Sequence, residues 1–404
     1  MTYQKKALII HHSGAIGGAG VSLLHILEAI KNLNLDVTVY CPIEPNDMAI
    51  EIRKLGYKVV SEPRNIPIIQ HYSGSSKFFF DYRTLRNIAS IIRSKKSIKE
   101  LIIKTRPDIV MVNSMTLSYI GKIAQSMNIE SICFHRETYA KGFFGIRTKA
   151  MKFQLSNHFD KVVFISQYDL KQSGKMKSRT FVVTDKVKLN EYEENQIDTS
   201  LVHPADDNTT KLLYVGGMNR LKGAHILIKA LAKCEDNIHL IFLQYGGNKR
   251  KKQFSDCGTL RDKIRYLIKK DYTATVLSLI DKNQMWHRVH FIPTTTIMAP
   301  IFKKCDIVVF PSTLPHQARP IYESGAAKKP IIITESPNIS EFVEDGINGL
   351  TFKNGDYNAL ASAINKLADN NSLKEKLGEK NYLRTIHYHD YKTLENQLRE
   401  IINI

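Results

Sequence analysis

Short unbroken apolar runs recur along this chain, separated by stretches in which apolar positions return every three or four residues. "KALIIH" (6–11), "DVTVYC" (36–41), "DIVMVN" (108–113), "SICFH" (131–135) and "KVVFIS" (161–166) lack the strict alternation of strands with one wet face. They read as strands buried on both faces, the mark of a parallel sheet. "GVSLLHILEAIKNL" and "TLSYIGKIAQSM" lie between them with helical periodicity, so the first half reads as a βαβ series. The series restarts with "KLLYV" (211–215), "IHLIFL" (238–243), "RVHFI" (288–292), "DIVVF" (306–310) and "KPIIIT" (329–334). The expected class is α/β, with two doubly wound, Rossmann-like domains. Their expected limits are 1–190 and 211–385. The linker expected over 191–210 holds six acids and no Lys or Arg. In 386–404, Leu394, Leu398, Ile401 and Ile402 share one helical face that needs an apolar surface to cover, and the first domain is a candidate for it.

Composition agrees with two folded domains: 404 residues, 43% hydrophobic and 24% charged. The five cysteines are scattered with no Cys-x-x-Cys pair, so neither a disulfide framework nor a zinc site is indicated, and a reducing cytoplasm fits. After Lys5 and Lys6 comes only "ALII", too short for a signal peptide, and no run approaches the ~18 apolar residues of a membrane span. A soluble or peripheral protein is expected. Of the net charge of +19, residues 1–190 carry +15, from 29 Lys and Arg against 14 Asp and Glu. The first half therefore expects an acidic partner. Charge alone would suit nucleic acid, but no nucleic-acid module accompanies it. A further basic segment, 249–287, is longer than an ordinary connection.

In open α/β sheets, ligands bind beyond the carboxyl ends of strands. Three loops there stand out. "HHSGAIGGAG" (11–20) opens a helix, and Gly17 and Gly18 would let backbone N–H groups approach an anion. It is not a G-x-G-x-x-G fingerprint, and a plain tight turn reads equally well. "LLYVGGMNRLKGAHILIKAL" (212–231) puts Gly217, Arg220 and Lys222 beside a helix start, a place for a diphosphate or simply for solvated loop bases. "PSTLPHQARPIYES" (311–324) follows a third strand and ends on the lone acid Glu323.

Together these segments resemble the retaining nucleotide-sugar glycosyltransferases of family 4, which have the GT-B fold of two Rossmann-like domains facing across a cleft. The likeness spans nearly the whole chain. The family's loop Pro-Ser-x-x-Glu-Gly-Phe-Gly-x-Pro-x-x-Glu-Ala lines up with Pro311 to Ser324. The resemblance makes Glu323 the second acid of a Glu-x7-Glu pair, which holds the ribose hydroxyls. Pro315 stands where the first acid contacts the donor sugar, so sugar recognition here must use other groups. Gln317, Ala318 and Arg319 take the positions whose backbone N–H groups approach the diphosphate, with the Arg319 side chain as an added cation. Lys222 matches the family's diphosphate lysine. Gly217 replaces the usual arginine, for which Arg220 can substitute. His135, ending "SICFH", matches a histidine that contacts donor sugar or acceptor, although a histidine after a strand is also often structural. "SEFVEDGINGLTF" (340–352) matches a stretch that reads as structural.

The implied activity is transfer of a sugar from a nucleotide-diphosphate donor to the hydroxyl of a glycan or glycolipid acceptor, with retention. Lys222, Arg220 and backbone N–H groups would stabilise the leaving diphosphate. No Asp-x-Asp motif is present, and the family generally needs no metal, so neither metal nor cofactor is expected. The first domain's loops offer no obvious carboxylate, which suits a front-side reaction in which the leaving phosphate takes the acceptor's proton. "SGSSKFFFDYRTLRNIASIIRSKKSIKELIIKTR" (73–106) and "KGFFGIRTKAMKF" (141–153) mix aromatics with cations as surfaces for an anionic membrane do, which would place the protein peripherally on the cytoplasmic face. An ordinary helix with a solvated basic face explains the first equally. A sugar-nucleotide epimerase on the same fold and a nucleotide-sugar-binding protein with a degenerate site are the competing functions.

Overall fold

Seven strands, β1 (Lys5–Ile10), β2 (Leu35–Tyr40), β3 (Lys58–Val60), β4 (Ile109–Val112), β5 (Glu130–His135), β6 (Lys161–Phe164) and β7 (Arg179–Val182), pair in parallel in the order β3-β2-β1-β4-β5-β6-β7. Six more, β8 (Thr210–Val215), β9 (Ile238–Leu243), β10 (Val289–Ile292), β11 (Ile307–Phe310), β12 (Ile331–Thr334) and β13 (Leu350–Phe352), form a second parallel sheet in the order β10-β9-β8-β11-β12-β13. The computed structural model describes residues 4–61, 66–69, 82–139, 143–193, 209–243, 272–293, 295, 297–315 and 318–403.

The apolar runs are continuous because each sheet is covered on both faces. In β1, Ala7 and Ile9 enter one core while Leu8 and Ile10 enter the other. In β8, Leu212 and Tyr214 separate from Leu213 and Val215 in the same way. The order in which strands are added reverses between β1 and β4 and between β8 and β11, the switch points where ligands bind in such sheets.

The chain divides into two compact units, Met1–Lys186 with Tyr391–Ile404, and Val187–Asp390. Two limits differ from the expected ones. Residues 187–190, placed with the first domain, and the helix Asn190–Glu193, placed largely in the linker, belong to the second unit: Tyr192 is buried there with its ring 6.3 Å from that of Phe302. The second unit also runs past residue 385, because the helix Asn371–His389 continues and stacks His389 on Tyr322 at 4.4 Å. The last helix, Leu394–Ile402, belongs to the first unit. Leu394, Leu398, Ile401 and Ile402 are buried with Ile26 and Leu27. Lys161 Nζ donates to Ile401 O at 2.7 Å and Lys5 Nζ to Ile402 O at 3.2 Å, so two cations hold the negative end of that helix.

Residues 194–208 of the expected linker and most of the basic segment 249–287 lie outside the described residues. Among the described residues, no helix is long and apolar enough to cross a membrane. Cys41, Cys133, Cys234 and Cys305 are buried free thiols, and Cys257 lies outside the described residues.

Candidate functional site

In the second unit, the loops after β8 and β11 meet backbone to backbone. Gly217 turns with φ +57°, and the Asn219 side chain accepts from Leu221 N at 2.9 Å to start the turn Arg220–Lys222. Gly223, at φ +76°, then begins a helix so close to Pro311 that any Cβ would collide with the Pro311 carbonyl. Thr313 N and Ser312 Oγ both donate to Leu221 O, at 2.8 and 3.1 Å. Lys222 and the 311–315 loop are thereby one positioned piece.

The Lys222 side chain is half-buried, with Nζ 5.0 Å from the centre of the Phe310 ring, and it makes no ion pair with a described residue. Burial lowers its pKa from the ordinary 10.5 to about 7. A cation in poor solvation without a counter-charge gains by taking an anion. Arg220 is exposed on the same turn. Its charge adds to burial and Lys229 in lowering the pKa of His225.

Ala318 is buried and precedes the helix Arg319–Ala326; Gln317 lies outside the described residues. Glu323, 6% exposed, accepts from Arg319 Nε at 3.1 Å. Arg319, expected to add a cation for the diphosphate, pairs through Nε with Glu323, because a four-residue spacing brings the two together on one helix face. Its guanidinium also stacks 5.1 Å from the Tyr322 ring. Together Lys222, Arg220 and Glu323 offer cations for an anion and an acid for hydroxyl groups.

In the first unit, the helix Gly18–Ala29 starts bare: Gly17 and Gly18 are exposed and the start has no side-chain cap. The glycine that packing requires is Gly14, where a Cβ would collide with Pro45 O. His135 is fully buried, its ring 4.7 Å from Tyr139 and 4.9 Å from Phe164.

Sequence reasoning missed Asn113 and Asp185, which join His11 and Arg136 in a polar chain across the strand ends. His11 Nδ1 lies 3.1 Å from Asn113 Nδ2, Arg136 Nε donates to Asn113 Oδ1 at 3.0 Å and Arg136 Nη1 to Asp185 Oδ1 at 2.8 Å, and Ser22 Oγ donates to the same Asp185 oxygen at 2.7 Å. Burial, then His12 and Arg136, push the His11 pKa well down. The expectation that these loops lack a carboxylate is corrected by Asp185 and by Glu137. Burial raises the Glu137 pKa to about 7 against its bonds to Ser114 and to Met115 N, the latter at 3.1 Å. Both acids sit within three residues of a strand's carboxyl end, and that position was the available signal. Among the described residues, no three His, Cys, Asp or Glu side chains gather as metal ligands.

The model of the family described as glycosyl transferases group 1 matches residues 196–384, and that of glycosyltransferase family 4 matches residues 16–179. The chain belongs to glycosyltransferase family 4. This glycosyltransferase is 23% identical over 370 residues to an uncharacterized glycosyltransferase of Methanocaldococcus jannaschii, covering 90% of this chain and 88% of that one. A lipopolysaccharide core biosynthesis glycosyltransferase of Rhizobium meliloti is 28% identical over 179 residues, 44% of this chain and 45% of the other. Among solved structures, Anabaena HepE in complex with UDP-glucose superposes with a TM-score of 0.75 at 18% identity, over 98% of this chain and 99% of that one. The fold of the family 4 chain is GT-B, with two parallel-sheet α/β domains.

Proposed function

We propose that this glycosyltransferase moves a hexosyl group from a nucleotide-diphosphate sugar to an acceptor hydroxyl, with retention of configuration, in the synthesis of a surface polysaccharide or lipid-linked glycan. The observation that carries the reading is Lys222, half-buried, without a counter-charge among the described residues, and fixed by two interlocked loops at the β8/β11 switch point. The UDP-glucose seen with HepE supports a nucleotide-sugar donor, and the Rhizobium relative supports a lipopolysaccharide-type pathway.

In this reading Lys222 and Arg220 hold the diphosphate, helped by backbone N–H groups at 317–319, and Glu323 receives the ribose hydroxyls. As the bond from the anomeric carbon to the diphosphate oxygen breaks, the acceptor oxygen bonds on the same face and its proton passes to the leaving phosphate. The fixed cations stabilise the charge that develops there. Within the first unit, His135 is proposed to meet the donor sugar or the acceptor, and the bare helix start at Gly17 and Gly18 an anionic group. The protein works in the cytoplasm, at the inner membrane face, where Phe144, Ile146 and Phe153, exposed beside Lys149 and Lys152, meet anionic lipid.

Thermal-shift screening of UDP-, GDP- and other nucleotide sugars is the test. One donor class is expected to stabilise the wild-type chain, with the shift lost in Lys222→Ala and in Glu323→Ala. Shifts unchanged in both variants would overturn the site.

A further inference from the structure

The carboxyl ends of β11 and β12 in the second unit border an open pocket of about 210 Å3. Its walls are tied to one another. Ser312 Oγ donates to Leu314 O at 2.8 Å, Asn354 Nδ2 to Thr313 O at 2.9 Å, and Glu335 N to Phe352 O at 2.8 Å. Phe310 lines it, and the same ring lies 5.0 Å from Lys222 Nζ. Phe310 is thus shared between this pocket's lining and the contact with the proposed diphosphate cation.

Its lining states what it can hold. Among the described residues around it there is no lysine or arginine, so it is not built for a second anion. Leu314, Pro315, Pro337 and Ile339 supply apolar wall, and Pro315 offers no side-chain hydrogen bond at all. Against that wall stand two polar groups. Thr334 is only 5% exposed, yet its hydroxyl has no hydrogen-bond partner among the described residues. Glu335 is exposed at the rim and makes no ion pair with a described residue. Buried hydroxyls are normally satisfied, so an unmet one in a pocket marks a place for a ligand's polar atom. The matching ligand is uncharged, has C–H faces for the apolar wall and presents hydroxyl groups. A carboxylate accepts from such hydroxyls, while a threonine hydroxyl can both donate and accept.

We infer that this pocket receives the glycosyl group of the donor, with Thr334 and Glu335 as the residues that bind its hydroxyls and choose among sugars. The assignment rests on the donor-site reading above and adds the residues that take the recognition role Pro315 cannot perform.

The test uses the full chain with Thr334→Val, which keeps shape and removes the hydroxyl, and Glu335→Gln, which keeps size and removes charge. Calorimetric affinities are measured for UDP and GDP and for their glucose, galactose, N-acetylglucosamine and mannose conjugates, with initial rates on the preferred donor. Both variants are expected to bind the parent nucleotide within about twofold of wild type and to lose about tenfold of the discrimination among conjugates of that nucleotide, the size of one hydrogen bond to a charged or buried group. Wild-type discrimination in both variants, with nucleotide binding intact, overturns the pocket assignment and leaves the donor site standing. A change confined to the acceptor KM overturns it in favour of an acceptor subsite. A wild-type chain that binds neither nucleotides nor conjugates removes the donor-site reading and this inference with it.

Discussion

Lys222 is a side chain whose protonation state an arriving anion changes. With its pKa lowered to about 7 by burial, it is only partly protonated at neutral pH in the unliganded protein. A diphosphate raises that pKa, so binding takes up a proton at pH values above 7. Donor affinity is therefore expected to be greatest below pH 7 and to fall as pH climbs from there, by up to about tenfold per unit until the bound-state value is reached. Calorimetry of the preferred nucleotide sugar at pH 6.5 and 8.5 checks this, with Lys222→Ala as the flat reference; a wild-type profile just as flat would refute it. The stability effect has a definite sign too. The folded pKa lies below the ordinary 10.5, so the unfolded chain holds more protons between about 7 and 10.5, and Lys222 makes the fold more stable as pH rises through that window.

The loops and short strands explain what could and could not be seen in the residues alone. Central strands such as β4 and β12 are buried at every position, and their continuous apolar runs announce them. β3, β7 and β13 went unseen because each is a three- or four-residue edge strand that is only partly buried. Lys222 and Glu323 stand out as candidates in the sequence because glycines and strand ends frame them. The four-residue spacing of Arg319 and Glu323 carries the ion pair that the structure shows. Asn113, Asp185 and Thr334 have no local pattern, since their surroundings come from neighbours distant in sequence. Gly223 is where loop geometry matters most: its left-handed φ and its contact with Pro311 leave no room for a side chain. Gly223→Ala is expected to destabilise the chain by more than about 1 kcal/mol and to weaken donor binding several-fold, because Lys222 moves with the loop. Wild-type melting and wild-type donor affinity in this variant would show that the two loops do not depend on each other.

At the scale of the whole chain, charge and exposed apolar groups coincide in the first unit. Ile88, Ile92 and Ile103 are exposed on the helix Tyr82–Thr105, and Phe144, Ile146 and Phe153 are exposed at and beside the helix Ile146–His158. Lys95, Lys96, Lys99, Lys149 and Lys152 share those two helices, and each base near an anionic surface contributes about 1 kcal/mol. Flotation with phosphatidylglycerol-containing vesicles should carry the wild-type protein upward, and Phe144→Ser with Phe153→Ser should leave more of it behind. Equal recovery with neutral and anionic vesicles would sink the membrane proposal.

The chain leaves the first unit at Lys186 and re-enters it at Tyr391, and the threads that leave and return are joined where Val187 N bonds His389 O at 2.9 Å. The segment 187–390 thus begins and ends at one spot, as an insert does. A stretch of gene with that property can be exchanged whole, so under the proposed function a lineage can change the donor it uses without rebuilding the other unit.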